Sequence, residues 1–176
     1  MKKQYYPLLY RLNNKNRYLI WEMSDGSEDT LFINPKNNKI LVFSKLKFLK
    51  QYVKREKIKI ADDSKPLLHD LDSVLKWLNN KSRSNIDCEN ILTAWNLFID
   101  MANSFELDNK ELQAYRSNAP KAYRVYSKVF YGSNLPSITP DDKLYMPKWK
   151  RKELELIRRV LLFGFQEFKQ RKVKIK

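Results

Sequence analysis

In 176 residues, 35 Lys and Arg against 20 Asp and Glu give a formal charge of +15, beside 43% hydrophobic residues that include 10 Tyr, 9 Phe and 4 Trp. That apolar and aromatic share excludes a disordered basic tail and suits one folded domain over residues 1–176. Three glycines argue against Gly-rich phosphate loops, and the lone Cys88 excludes an internal disulfide or a cysteine zinc site. The charge is also segregated: +8 over residues 1–65, −4 over 66–115 and +11 over 116–176. Such a surface is poised to attract an anion, either nucleic acid or an acidic protein face. Met1-Lys2-Lys3-Gln4-Tyr5-Tyr6-Pro7 lacks the apolar run of a signal peptide, and no stretch approaches the roughly 18 apolar residues of a membrane span. The expectation is a cytoplasmic protein with no membrane partner.

The first third reads as strand. Tyr6 to Leu12 and Tyr18 to Met23 are short and rich in aromatic and aliphatic residues, with the polar run Asn13-Asn14-Lys15-Asn16 between them as a hairpin loop. Asp25-Gly26 marks the next turn, Thr30 to Ile33 a third strand and Ile40 to Phe43 a fourth, the last two linked by Asn34-Pro35-Lys36-Asn37-Asn38. The pattern predicts an N-terminal antiparallel meander of about four strands, one face wet and the other covered by the later part of the chain.

From Lys45 the period changes. Leu46, Leu49 and Val53 recur at helical spacing, with Lys47, Lys50 and Lys54 on another side, and Ile58 and Ile60 suggest a short strand. Leu67, Leu68, Leu71, Val74, Leu75 and Leu78 form an apolar helical stripe. Asp87 is a good N-cap, with Ile86 and Ile91 placed as a hydrophobic staple, for a helix that buries Ile91, Leu92, Trp95, Phe98, Ile99 and Ala102. Tyr123, Tyr126, Val129 and Phe130 suggest another helix, ended by Gly132. A last helix runs from about Lys150 to Lys169 with Leu154, Ile157, Leu161, Phe165 and Phe168 inward, and Arg171 to Lys176 reads as a frayed, solvated end. The fold class is α+β: residues 1–65 are mostly β with one basic helix, and 66–176 are mostly helical, a C-terminal set of amphipathic helices against the meander.

Catalytic motifs are weak. His69 is the sole histidine and sits in Leu67-Leu68-His69-Asp70-Leu71, early in the predicted helix; His-Asp metal sites need further histidines. Pro140-Asp141 followed by Glu167-Phe168-Lys169 spells a nuclease-like pattern, but that chemistry needs Glu and Lys on one side of a strand, and here they fall in a helical period. Asp70 with Asp72 fits the opening turns of a helix, where acids meet the dipole favourably, and Asp141 with Asp142 fits a loop. No Walker, Rossmann or zinc pattern is present. The expectation is a protein that is not an enzyme and takes no cofactor or metal.

The basic clusters carry more weight. Lys148-Trp149-Lys150-Arg151-Lys152, with Arg158 and Arg159 two turns on, places cations at a helix N-terminus, where they oppose the dipole and Glu153 and Glu155 offset only part of the cost. The second cluster is Lys45, Lys47, Lys50, Lys54, Arg55, Lys57 and Lys59. Its Lys content suits nonspecific electrostatics better than bidentate reading of bases or phosphates.

From Leu68 onward the chain resembles a known family. The residues that carry the likeness are Leu68-His69-Asp70-Leu71-Asp72, Val74-Leu75-Lys76-Trp77-Leu78 and Ile86-Asp87-Cys88-Glu89, leading to Ala94-Trp95-Asn96-Leu97-Phe98-Ile99-Asp100. Next in the chain are Tyr131-Gly132-Ser133-Asn134-Leu135-Pro136-Ser137-Ile138-Thr139-Pro140 and Tyr145-Met146-Pro147-Lys148-Trp149. Over roughly the last hundred residues the pattern resembles the small α+β immunity proteins encoded beside bacterial polymorphic toxins, including contact-dependent growth inhibition systems. The recurring residues of such families are structural, so no functional residue transfers. The chain departs from them in charge, since immunity proteins against cationic nucleases are usually acidic. The resemblance implies an inhibitor that binds a cognate toxin C-terminal domain through an acidic contact face of that domain, or through the −4 segment of this chain. Tyr145, Lys148, Trp149, Lys150, Arg151, Lys152, Arg158 and Arg159 are the expected partner-binding residues. The alternative is a non-catalytic nucleic-acid-binding protein, for which weak, nonspecific contacts suffice.

Overall fold

The computed structural model describes residues 3–61, 66–80, 86–114, 119–134 and 146–175. Two long antiparallel strands, β1 (Lys3–Leu12) and β2 (Lys15–Ser24), pair in full register from Lys3↔Ser24 to Leu12↔Lys15. Asn13 and Asn14 both take φ 55°, the positive values a two-residue primed turn requires and Asn tolerates. The hairpin loop is therefore shorter than the predicted one, and Lys15 and Asn16 join the strand.

The predicted third strand is broken. β3 (Thr30–Leu31) pairs with β2, whereas β4 (Ile33–Asn34) pairs with β5 (Lys39–Phe43). Phe32 marks the corner, its N–H donating to the Ile20 carbonyl at 2.9 Å. β5 joins β2 at Tyr18↔Phe43. Beyond these strands the sheet gains parallel partners, so it is mixed. β6 (Leu68–Asp70) runs parallel to β1, with a further single bridge from Ile60 to Tyr5, and β7 (Lys172–Ile175) runs parallel to β5.

Two sequence expectations are corrected here. Leu68-His69-Asp70 is strand, not helix: the helical stripe begins only at Leu71, because Asp70 caps α2 (Leu71–Asn79) by accepting from the Ser73 N–H at 3.2 Å. The C-terminal segment is not a frayed end. Lys172-Val173-Lys174-Ile175 alternates at period two, and its backbone covers the edge of β5.

Alternation along the strands feeds two cores. Leu8, Tyr10, Leu19, Ile40 and Val42 face the larger one, while Ile20, Leu41 and Phe43 face the smaller. The larger core is roofed by α2, α3 (Cys88–Ser104), α4 (Pro120–Asn134) and α5 (Arg151–Arg171). The smaller is covered by α1 (Leu46–Arg55) through Leu49 and Val53, so the face expected to be wet is partly roofed. β5, with four consecutive buried residues from Ile40 to Phe43, is buried on both sides.

α3 is the central helix, and ten of its 17 residues are buried. Asp87 caps it, accepting from the Asn90 N–H at 3.0 Å, and Ile86 packs on the core as the staple predicts. Trp95 is fully buried with its indole N–H on the Leu112 carbonyl at 2.8 Å. Gly132 does not stop α4, which runs on to Asn134. A Cβ there would stand 2.6 Å from the Cys88 Sγ, so this glycine serves close helix approach.

Candidate partner-binding surfaces

The basic cluster before α5 is built around one carboxylate. Lys150 is the extended N-cap, and Glu153, three residues on, accepts from its backbone N–H at 2.7 Å. Lys128 of α4 donates to Glu153 at 2.8 Å and to the Lys148 carbonyl, and its ammonium lies 4.9 Å from the centre of the Trp149 ring. Partial burial alone would raise the Glu153 carboxyl, but the Lys128 and Lys150 hydrogen bonds hold it below its ordinary value. Trp149 is consequently half-buried, packed on the main core and covered by Lys128. It packs into this junction and keeps part of its surface exposed.

The other predicted contact residues separate. Lys148, Lys150, Arg151 and Lys152 are exposed, and Arg151 pairs along the helix with Glu155 at 2.9 Å. Arg158 is partly exposed, and Arg159 holds Glu111 through a two-pronged contact at 3.2 and 2.7 Å. Tyr145 lies outside the described residues, as do Pro140, Asp141 and Asp142. Glu167 pairs with Arg171 on α5, with the core residue Phe168 between it and Lys169.

Of the predicted set, Lys150, Lys152 and Arg159 converge on a groove of about 850 Å³ between the N-terminal halves of α4 and α5. Lys121 and Arg124, which sequence reasoning missed, complete its cationic rim. Ala122, Val125 and Leu156 form an apolar floor, and Glu111, Glu153 and Glu155 temper the charge. The missed pair was legible only as polar positions directly preceding the core positions Ala122 and Val125.

A second basic face lies on the opposite side of the sheet. Lys45, Lys47, Lys50, Lys54, Arg55, Lys57 and Lys59, on α1 and flanking it, are all exposed, with Glu56 the acid among them. Phe48 and Tyr52 turn into the smaller core beneath Lys47 and Arg55, whose charges lie 5.2 Å from the respective ring centres.

The third feature is acidic and joins Asp100 of the −4 segment to two acids of the N-terminal +8 segment. Asp100 of α3 faces a cavity of about 480 Å³ that is also lined by Glu28 and Asp29 from the β2–β3 turn, Trp21, Asn96 and Tyr126. The turn is pinned to the end of α3: the Asn103 amide donates to the Asp29 carbonyl at 3.0 Å, and the Leu31 N–H donates to Ser104 Oγ at 2.7 Å. Tyr126 donates to Asn96 at 2.8 Å. Burial, and then the charge of Asp29, push the Asp100 carboxyl up to about 8, and burial also raises Asp29. The Trp21 indole N–H lies near Asp100 and moderates that rise, but it is buried without a well-formed hydrogen bond. Beyond Trp21, Asn96 and Asp100, a second cavity of about 380 Å³ reaches His69, Tyr6 and Thr93. Burial lowers His69, whose Nδ1 lies 3.3 Å from the Leu67 carbonyl. Among the described residues, no three His, Cys, Asp or Glu side chains converge as a metal-ligand set.

No family model and no curated protein matches the chain. Among solved structures it is similar to the C-terminal domain of SatS, determined in complex with bromine. The TM-score is 0.58 at 12% identity over 97% of this chain and 94% of that one. At that identity the likeness concerns the fold alone, an α+β arrangement of a mixed, mostly antiparallel sheet with helices. Among the described residues no helix is long and apolar enough to cross a membrane.

Proposed function

We propose that this chain is a non-catalytic, cytoplasmic immunity protein that binds a cognate bacterial toxin domain and occludes its active or substrate-binding surface. The observation that carries the reading is the α4–α5 groove: an apolar floor of Ala122, Val125 and Leu156 ringed by Lys121, Arg124, Lys150, Lys152 and Arg159. An inhibitor needs a desolvating centre for a slow off-rate and surrounding charge for fast, oriented encounter, and the groove supplies both toward an acidic segment. The sequence resemblance over the last hundred residues supports the same reading. The test is co-expression with the C-terminal domain of a toxin encoded beside this gene. Protection of the host is expected, with protection and complex formation lost in Val125→Asp. A folded Val125→Asp protein that still protects and binds would overturn the use of this groove.

One observation favours a second reading, nucleic-acid binding: the seven exposed cations on α1 and flanking it, which would track a phosphate backbone. The aromatic rings beneath them face the smaller core, which leaves electrostatics as the main attraction there. The two readings part on salt. A phosphate contact set of 6–10 charges loses roughly 10³–10⁵-fold in affinity between 50 and 200 mM salt, whereas a groove-bound protein complex keeps most of its stability in that range.

A further inference from the structure

We propose that the cavity between the tip of the β1–β2 hairpin and the end of α5 binds an amphiphilic anion: an anionic oxygen head group, carboxylate or phosphate, on an unbranched apolar tail. The inference does not rest on the toxin-binding reading, because it concerns a different surface and a small-molecule ligand.

The hairpin register builds the site. Tyr10 pairs with Arg17 and Leu12 with Lys15, and cross-strand partners point to the same face of a sheet, here that of the larger core. A cavity of about 480 Å³ lies between these last pairs, Leu75 of α2 and the junction of α5 with β7. Its floor is apolar: Leu12, Leu75 and Phe165 pack on the main core and still line the cavity, beside the buried Phe168. Lys15, Arg17, Lys169 and Lys172 stand around that floor, and among the described residues no carboxylate lines it.

The cations there are not neutralised by the fold. Among the described residues Lys15 and Lys169 have no ion-pair partner, and Arg17 donates to the Asn16 carbonyl at 2.8 Å. The Lys172 ammonium lies 4.8 Å from the centre of the Phe168 ring, at the edge of the cavity. Asp72, the acid that holds the hairpin turn, accepts from the Asn13 and Asn14 N–H groups at 2.6 and 2.8 Å and does not line the cavity. Positive charge gathered over a low-dielectric floor concentrates the field that draws an anion in.

Tyr10 gives a second, independent sign of a ligand. The residue is 2% exposed and lines the cavity, and among the described residues its hydroxyl has no hydrogen-bond partner. The oxygen is not sealed in: the unpartnered side-chain polar atoms wholly buried among those residues are the Trp21 and Trp77 indole nitrogens. Burial pushes the hydroxyl well above its ordinary value, against the pull of the Arg17 charge, so it stays protonated and can donate. A buried hydroxyl without a partner costs free energy, and an anionic oxygen beside Arg17 accepts from it and from the guanidinium together.

The floor selects what carries the head group. Apart from the cations, the polar side chains in the lining are Tyr10 and Asn13, so a nucleobase or sugar would bury hydrogen-bonding edges without partners. An alkyl chain makes no such demand and gains by covering Leu12, Leu75 and Phe165. A bare inorganic anion would meet the rim and leave that apolar surface wet.

The test is isothermal titration of the full chain with octanoate, octyl phosphate, octan-1-ol and inorganic phosphate, the amphiphiles kept below micelle-forming concentrations. Saturable one-to-one binding of octanoate or octyl phosphate is expected, and the tighter of the two identifies the head group. Octan-1-ol and inorganic phosphate should each bind at least about tenfold more weakly. Tyr10→Phe, which keeps the buried ring, and Arg17→Gln, which alters a partly exposed side chain, should each weaken binding by on the order of tenfold. Lys47, Lys50 and Lys54 on α1 changed together to Glu should leave it unchanged. Absence of saturable binding by both anions, or equal binding of octan-1-ol or inorganic phosphate, overturns the proposal. So does unchanged affinity in both Tyr10→Phe and Arg17→Gln, or a loss in the α1 variant as large as theirs, which would mark general attraction to a basic protein.

Discussion

Asp70 shows how much one carboxylate can hold in place. Its oxygens accept from the Ser73 N–H and hydroxyl, and they receive the Arg11 guanidinium at 3.4 and 2.7 Å, so a helix start and strand β1 share one acid. Desolvation would raise its carboxyl, but the Ser73 and Arg11 hydrogen bonds outweigh it and hold the group below the ordinary value. A depressed acid stabilises the fold above its unfolded pKa, and the contribution is lost as pH falls through the lower folded value. Asp70→Ala should therefore cost about 1–2 kcal/mol at neutral pH and much less in strong acid, as urea unfolding at the two pH values would show. Asp70→Asn, which keeps the cap and loses a half-exposed ion pair, should cost less. Asp100 has the opposite sign. Its raised carboxyl is protonated more readily in the folded state, so stability falls as pH rises from the unfolded value toward about 8. Asp100→Asn should flatten that fall and raise the thermal midpoint on the alkaline side; an unchanged pH profile would show that Asp100 does not titrate in that range.

At the scale of elements, α3 organises the molecule through contacts whose removal is measurable. Trp95 fills the space between α3 and the 107–114 segment, bonded to Leu112 and edge-on to Tyr126 with ring centres 5.4 Å apart. Trp95→Ala should cost about 3–5 kcal/mol through lost burial and a cavity, read as a lower denaturant midpoint. Gly164 on α5 meets Phe98 so closely that an added Cβ would overlap its side chain. The helix-propensity gain of Gly164→Ala, about 1 kcal/mol, should be outweighed by overpacking of about 1–3 kcal/mol, giving a net loss of stability. Much of this level was legible beforehand. The Asp87 cap, the Ile86 staple and the stripe of α3 arise from local chemistry and a 3.6-residue period. β6 and β7 were not, although Lys172-Val173-Lys174-Ile175 carries the period-two pattern of a strand. A short strand has no stability alone, and only the waiting edges of β1 and β5 give these segments a conformation.

For the whole molecule, charge that is segregated along the chain is also gathered onto separate faces. The basic groove lies between α4 and α5, the Lys-rich face lies on α1 across the sheet, and the acidic cleft lies beside the end of α3. Charge reversal on each should therefore give separable effects. Lys47, Lys50 and Lys54 changed together to Glu should weaken binding to generic RNA or DNA and reduce its salt slope by roughly one per lost phosphate contact. The same change should leave a groove partner in place. Reversal at Lys121, Arg124 and Lys152 should slow association with that partner, with a smaller effect on dissociation. Loss of both activities in both triple variants would mean that the faces act as one field.

The amino-acid sequence by itself determined the α+β class, the first hairpin, the central capped helix and the segregation of charge, because each depends on local periodicity, turn chemistry or composition. Tertiary structure alone decided what each period-marked face meets. Trp149 could read as an anchor among lysines or as a core residue, and the fold packs it on the main core with the Lys128 ammonium of another helix over its ring. Gly132 looked like a helix stop, yet it is a site of close approach to Cys88. Asp100 sits in Leu97-Phe98-Ile99-Asp100-Met101-Ala102, where an acid inside an apolar run marks something unusual without saying what. Its significance depends on Asp29 and Trp21, about 70 and 80 positions away in the chain. Burial and electrostatic coupling are set by neighbours in space, and only the folded arrangement of β2, the β2–β3 turn and α3 brings those neighbours together.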